Sequence, residues 1–353
     1  MKLPTGKLDS DLLKAIVFDK IRYERDEVKI RPGIGEDCAV IGFGEYDCVM
    51  STDPITAAVS DIGRLSIHIT CNDIASNGVE PLGIMLAVML PEGTTEEDVD
   101  HIMGQAAETA AALSVEIIGG HTEITPAVRQ PVIVSTAIGR APKDTSQSGS
   151  DMVPGDCILM TRSAGLEGCG IIASDQGDRL AGEKDEGGEP LLTSGEIAKA
   201  RGFLDQVSVV KEGVAAGRLG THGMHDITEG GILGAVWEMC QIAGVGGEVW
   251  EDEIPVEDVT RKICQVYGLD PLRLISSGSM VIIAPAEKKE EIMEAIRAEG
   301  VPVSVIGRIL PAEEGVRLIK RGNICGGEGE DRISVAVDPP RADEIYKVID
   351  RED

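Results

Sequence analysis

Carboxylates recur in this chain where it also turns. Glu36 and Asp37 lie inside GIGEDCAVI (33–41), Asp53 in STDPI (51–55) and Asp73 in CNDIASNGVEP (71–81); Glu123 closes GGHTE (119–123), and Asp226 and Glu229 belong to HDITEGG (225–231). The pair Gly33-x-Gly35 looks like the start of a dinucleotide fingerprint, in which glycines open a helix whose N-terminus holds pyrophosphate. The residues that follow, Cys38 to Phe43, lack helical apolar spacing, and glycine returns at 42 and 44. That pattern suits an extended segment and a turn. Two acids beside a phosphate-sized loop repel phosphate unless a cation lies between them. Magnesium takes oxygen ligands and commonly joins one or two carboxylates to substrate phosphates. One such Asp alone is ordinarily a turn or cap residue, but the set together points to Mg²⁺ and phosphate. In HDITEGG, glycine-flanked N–H groups at a helix start would form an anion nest.

The elements that must position these acids are legible in outline. A helix is predicted near 10–20, strands at 37–43 and 46–52, a helix over 61–77 stopped by Gly78, and a buried strand over PLGIMLAVML (81–90). A helix over 95–113 starts at Thr94 or Thr95 with acids in its first turn. Strands near 115–119 and 132–140 complete a ββαβαβ-type half. Polar and small residues then mark a linker at 141–151. The second half alternates again: strands near 156–161, 279–284 and 303–309, and helices near 195–202, 208–217 and 286–299, with another after the glycine turn at 226–231. The expected fold class is α+β, with domains over 1–145 and 152–353. DQGDRLAGEKDEGGEP (175–190) is almost without apolar residues and is expected to be a solvated loop.

Composition excludes several roles. The 353 residues carry 61 acids against 33 bases, a net charge of −28, which repels nucleic acid and anionic lipid alike. Neither is expected as a partner. No apolar run reaches the ~20 residues of a membrane span. The start, MKLPTGKLDSDLL, has neither a continuous apolar region nor a small-residue cleavage site, so a cytoplasmic location is expected. Eight scattered cysteines without a CxxC pair argue against structural zinc and a disulfide framework. His222 and His225 have no clear third ligand for zinc in the sequence.

Taken in order, GIGEDCA, STDP, NDIASNGVEP, GGHTE, DITEGGI and SSGSM resemble the aminoimidazole ribonucleotide (AIR) synthetase, or PurM-like, superfamily over nearly the whole chain. The resemblance implies two α+β domains, the first dimerising into a shared β-barrel with ATP near the interface. It implies that ATP and Mg²⁺ are cofactors, and that Asp37, Asp53 and Asp73 hold the metal. By the same resemblance Gly33, Gly35, Asn72, Thr228, Gly230 and Gly231 would join those acids around the nucleotide, and Gly119, Gly120, His121 and Thr122 would form a phosphate-binding turn that completes the pocket. Asp226, Glu229 and His121 would act on the γ-phosphate or the acceptor. The implied chemistry is phosphorylation of an amide-like or thioamide-like oxygen on a small-molecule or protein-borne acceptor. GGHTE and DITEGG are most similar to the HypE branch, which works in hydrogenase maturation on a cysteine at its own C-terminus. This sequence ends YKVIDRED, and Cys325 in NICGGEGE is expected to be an ordinary loop thiol. A small-molecule kinase of the thiamine-monophosphate kinase type and a non-catalytic nucleotide-binding scaffold are the alternatives.

Overall fold

The computed structural model describes residues 3, 8, 10–56, 59–147, 149–184, 187–321, 332–340 and 342–349. Cys325 lies outside them. After a short helix α1 (Ser10–Ile16), the first half builds a six-stranded sheet from β1 (Val28–Ile30), β2 (Ala39–Phe43), β3 (Tyr46–Ile55), β4 (Pro81–Leu90), β5 (Glu116–Ile124) and β6 (Val132–Pro142). Its strand order is β1-β2-β3-β6-β4-β5. β2 and β3 form a hairpin closed by the two residues between Phe43 and Tyr46, which face each other. β4 and β5 run parallel, so the chain needs a crossover helix between them. That helix is α3 (Glu96–Ala112), started by a reciprocal capping box between Thr95 and Asp98.

Helix α2 (Ile62–Ser76) is the central strut. Because it is buried on nearly all sides, it shows little amphipathic contrast. It packs against β3, β6 and α3 of its own half, and against α7 (Val210–Gly217) and β8 (Gly223–Asp226) of the second. Val210 and Val214 accordingly belong to the same apolar core as Ile67, Ile74 and Val88.

The second sheet joins β7 (Cys157–Thr161), β8, β9 (Gly246–Trp250), β10 (Met280–Ala284), β11 (Val303–Leu310), β12 (Val316–Arg321) and β13 (Arg332–Ala336), in the order β13-β12-β9-β11-β7-β10-β8. Alternate residues serve opposite faces, as strand geometry requires. Ile158, Met160, Val281 and Ile283 pack against α8 (Gly231–Ala243), whereas Leu159, Met280 and Ile282 pack toward α10 (Lys289–Ala298). A helical cluster of α4 (Leu166–Asp175), α5 (Gly177–Gly182), α6 (Ser194–Arg201) and α9 (Asp258–Tyr267) also receives Ile345 and Val348 around the terminal helix α11 (Tyr346–Ile349).

Two sequence expectations change. Residues 177–182 in the acidic stretch are helical, because Leu180 is fully buried in that cluster. Gly119 to Thr122 are not a turn; they lie within β5, paired to β4 from Gly83 to Leu90. The first half therefore has the order ββαβαββ after β1. Gly120 has φ +149°, and a Cβ there would lie 2.0 Å from the Leu86 carbonyl oxygen, so the close approach of two strands explains that glycine. No helix among the described residues is long and apolar enough to cross a membrane.

Candidate active site

The acids meet where α2 faces β8. Asn72 locks this junction: its amide donates to the Val207 carbonyl (2.8 Å) and its Oδ1 accepts from the Val209 N–H (2.9 Å). One turn later, Ser76 Oγ accepts the Asp226 N–H at 3.1 Å. Between them, buried Asp73 accepts a 2.5 Å hydrogen bond from Ser51 Oγ. Asp53 shares a face of β3 with Ser51, two residues on, and its carboxylate is close enough to act on that of Asp73. Asp37 enters from the loop before β2. Its Oδ2 lies 3.6 Å from His225 Nε2, and Asp226 Oδ1 lies 3.7 Å from His225 Nδ1. Asp37, His225 and Asp226 offer ligand atoms within 4.8 Å of one another.

Charge is concentrated here rather than neutralised. Burial, followed by the negative charges of Asp226, Asp53 and Asp37, pushes the Asp73 carboxyl well above its usual range. Burial and neighbouring Asp37 push Glu36 up to about 7, against the opposing pull of His225. For His225, burial alone favours the neutral ring, but Asp37, Glu238 and Asp226 outweigh it and raise the group to about 9. An imidazolium thus supplies positive charge among the carboxylates. Asp53 Oδ2 is buried without a hydrogen-bond partner among the described residues. Oxygen donors from a loop, a strand, a helix and a second sheet, with one of them orphaned, fit a divalent cation with phosphate oxygens completing its shell.

The structure thus brings together Asp37, Asp53, Asp73 and Asp226, while other expected site residues have different partners. Asn72 is spent on the Val207–Val209 backbone. Gly33 and Gly35 belong to the same loop as Asp37, and Gly35 (φ +77°) sits so close to α8 that a Cβ would meet Ile242 Cδ1 at 2.7 Å. The anion nest expected at Gly230 and Gly231 is already filled from within: Gly230 N–H donates to Asp343 Oδ2 (2.8 Å), and Gly231 N–H to the Thr228 carbonyl (3.1 Å). Glu229 accepts from the Tyr346 hydroxyl at 3.1 Å. On edge strand β5, His121 is 70% exposed and 3.4 Å from Glu123. Gly120 aligns across the sheet with Leu86, Ser135 and Asp53, three strand spacings or roughly 14 Å away.

His225 is the principal site residue that sequence reasoning passed over. The sequence offers it only as a zinc ligand with His222, which instead pairs with Asp156 at 2.7 Å. Its position immediately before Asp226 was the available signal. A cavity of about 250 Å³ lies away from the acids, beside Trp250, Lys320 and Arg321; Lys320 and Arg321 are ion-paired with Glu251 and Asp252.

Family models agree with this architecture. The AIR synthase related protein N-terminal domain matches residues 35–141, and the corresponding C-terminal domain matches 153–320. Carbamoyl dehydratase HypE of Azotobacter vinelandii is 30% identical over 288 residues, covering 79% of each chain. Among solved structures, a HypE–HypF complex superposes with a TM-score of 0.72 at 22% identity, over 93% of this chain and 99% of that one. HypE in complex with ATP gives 0.65 at 23%, covering 97% and 98%. Thiamine-monophosphate kinase of Stenotrophomonas maltophilia gives 0.65 at 20%, covering 87% and 94%. With both domain models matched in order around the acid-lined junction, the chain belongs to the AIR synthase related protein family.

Proposed function

We propose that this chain is a Mg²⁺-requiring, ATP-dependent enzyme that activates an amide-like or thioamide-like oxygen by phosphorylation, in hydrogenase or another metallocofactor maturation. The observation that carries this reading is the convergence of Asp37, Asp53 and Asp73 from the first half with Asp226 from the second. Asp37, Asp53 and Asp73 would hold Mg²⁺, which, when bound, neutralises the phosphates and the charge that develops in phosphoryl transfer. Asp226, anchored through its N–H to Ser76, holds its carboxylate at the acceptor side. His225 keeps positive charge beside Asp37 and Asp226. The A. vinelandii relative's name, carbamoyl dehydratase, supports an amide-like acceptor, small or protein-borne, and a HypE solved with ATP supports the nucleotide.

A homodimer through the first half belongs to the same proposal. Edge strand β5 is exposed along almost its whole length, with Ile118 and Ile124 at 47% and 57% exposure and Leu82 and Met85 of β4 nearby at 47% and 40%. An apolar unpaired edge of this kind calls for a cover, and a second copy closing a barrel would provide one. His121 and Thr122 would then serve the nucleotide from that edge.

The test is ADP and phosphate release against a panel of amide and thioamide acceptors, with ATP affinity and sedimentation measured on the same preparations. Asp53→Asn should weaken Mg²⁺-dependent ATP binding by more than tenfold. Asp226→Asn should lose turnover while retaining binding, because its contribution would be made in the transition state. A wild type that binds ATP without turning it over would support the scaffold reading. Accumulation of a stable phosphorylated acceptor would support a kinase, and a monomer at micromolar concentration would remove the dimer.

A further inference from the structure

Asp226 lies on β8, at one edge of the seven-stranded sheet; the cavity of about 250 Å³ lies toward the other edge, beside β12, β13 and the residues after β9. The separation is four to six strand spacings, roughly 19–29 Å. Ile319 of β12 is the register partner of Trp250 on β9, and Arg321 shares the face of Ile319 two residues on. Directly opposite Arg321 stands Arg332 on edge strand β13. Opposed side chains of antiparallel strands start about 5 Å apart, and like charges so placed destabilise the pair. The described residues answer only part of that charge. Asp252 accepts from Arg321 Nε at 2.5 Å, whereas the Arg332 guanidinium has neither an ion pair nor a hydrogen bond to a described residue. Trp250, Ile319, Arg321 and Arg332 all border the cavity. Trp250 Nε1 donates to Glu248 at 3.1 Å, which fixes the ring where it lines the space. In a chain of net charge −28, two opposed arginines beside an indole are a local reversal of sign.

We propose that this cavity binds a small organic carboxylate with a flat, unsaturated body, its oxygens held between Arg321 and Arg332 and its body against Trp250. Each part follows from a residue. A guanidinium presents paired N–H donors that match the two oxygens of a carboxylate, and an anion between the two arginines turns their repulsion into two attractions. The indole offers a face for stacking, with apolar Ile319 next to it. Glu253 also borders the cavity and opposes a second negative charge, which favours a carboxylate over a phosphate dianion. The volume, just below the usual range for drug-sized ligands, admits a single ring with its acid group. No residue of the nucleotide site takes part, so this ligand is distinct from ATP and from the amide-like acceptor.

Benzoate is the probe, titrated into the full-length chain with ¹⁵N-labelled indoles, in EDTA and without nucleotide. The chain has two tryptophans, and the Trp250 N–H signal is assigned by its loss in Trp250→Phe. That signal should shift with a Kd below about 1 mM, within reach of a ligand of about nine non-hydrogen atoms, while the Trp237 signal stays still. Arg332→Gln should weaken binding at least tenfold. Cyclohexanecarboxylate, which keeps the charge and loses the flat ring, should bind about fivefold more weakly than benzoate. Asp53→Asn should bind benzoate as the wild type does, so the result stands apart from the fate of the nucleotide assignment. Without ligand, Arg332→Gln should melt no lower than the wild type, because it removes a repulsion, and it should lose the rise in Tm that saturating benzoate gives the wild type. An unmoved Trp250 signal, wild-type affinity in Arg332→Gln, equal binding of inorganic phosphate, or a lower Tm in Arg332→Gln would overturn the site.

Discussion

Glu248 and Asp73 are both buried acids, and their surroundings are opposite. Glu248, on the inner strand β9, accepts from Trp250 Nε1 and Arg317 Nε, both at 3.1 Å, and pairs with Arg308 at 3.2 Å. Burial pushes its carboxyl up, but these donors outweigh burial and hold it below the ordinary range. Asp73 has one hydroxyl donor, Ser51, and three carboxylates for neighbours, so its carboxyl is driven up. The difference separates two uses of a buried acid. A structural carboxylate comes with its counterions; a site carboxylate is left short of positive charge that a ligand must bring.

The largest effect expected from breaking this contrast is at Asp73. Asp73→Asn puts a neutral amide where a carboxyl must take up a proton to stand beside three other acids, so the metal-free protein should gain about 1–2 kcal/mol in stability near neutral pH. The same change should abolish most of the stabilisation by Mg²⁺, which is ~2.7 kcal/mol for the wild type at 100 times Kd. Thermal melts with and without Mg²⁺ measure both, and a destabilised metal-free variant would show that Asp73 is structural.

The two regions should also respond to pH with opposite signs. His225 has a native pKa of about 9 against 6.5 unfolded, so its stabilisation is complete below pH 6.5 and is lost as pH rises through 9. The raised Asp73 acts in the same direction, because the native state holds a proton that the unfolded chain releases. Glu248, whose carboxyl is lowered, contributes above about pH 4.5 and loses that contribution as pH falls. Metal-free protein should therefore weaken between pH 6.5 and 9, and Mg²⁺ should reverse the trend by replacing the proton's charge. Denaturant midpoints across that range, with an NMR titration of His225, test it; a flat metal-free profile or a His225 that titrates near 6.5 would contradict the assignment.

The smallest effect belongs to the satisfied acid. Glu248→Gln should cost about 1 kcal/mol, because Arg308 and Arg317 are partly exposed and solvent screens what they lose. Mg²⁺ should make no difference to that cost, measured by denaturant unfolding. A Mg²⁺-dependent cost would erase the distinction between the two regions.

The chain's own order determined much of the architecture. The helices around α2 and α3, the buried strand over 81–90 and the hairpin of β2 and β3 follow from apolar spacing, a Thr95 cap and a two-residue turn, all local signals. The candidacy of Asp37, Asp53, Asp73 and Asp226 also came from residue type beside glycine or at element ends. What only the tertiary structure decided were the partners of those residues. Asn72 reads like a site residue and is a backbone clamp on Val207 and Val209, about 135 positions away. Glu229 and Gly230 look poised for phosphate and are engaged by Tyr346 and Asp343, over a hundred residues later. Gly119 to Thr122 look like a turn and extend along β4. His225 carries only its place before Asp226 as a local mark, yet it stands among acids from both halves. Periodicity and capping act within a few residues and are therefore written locally, whereas the charge a buried group experiences is set by whichever distant segments pack around it.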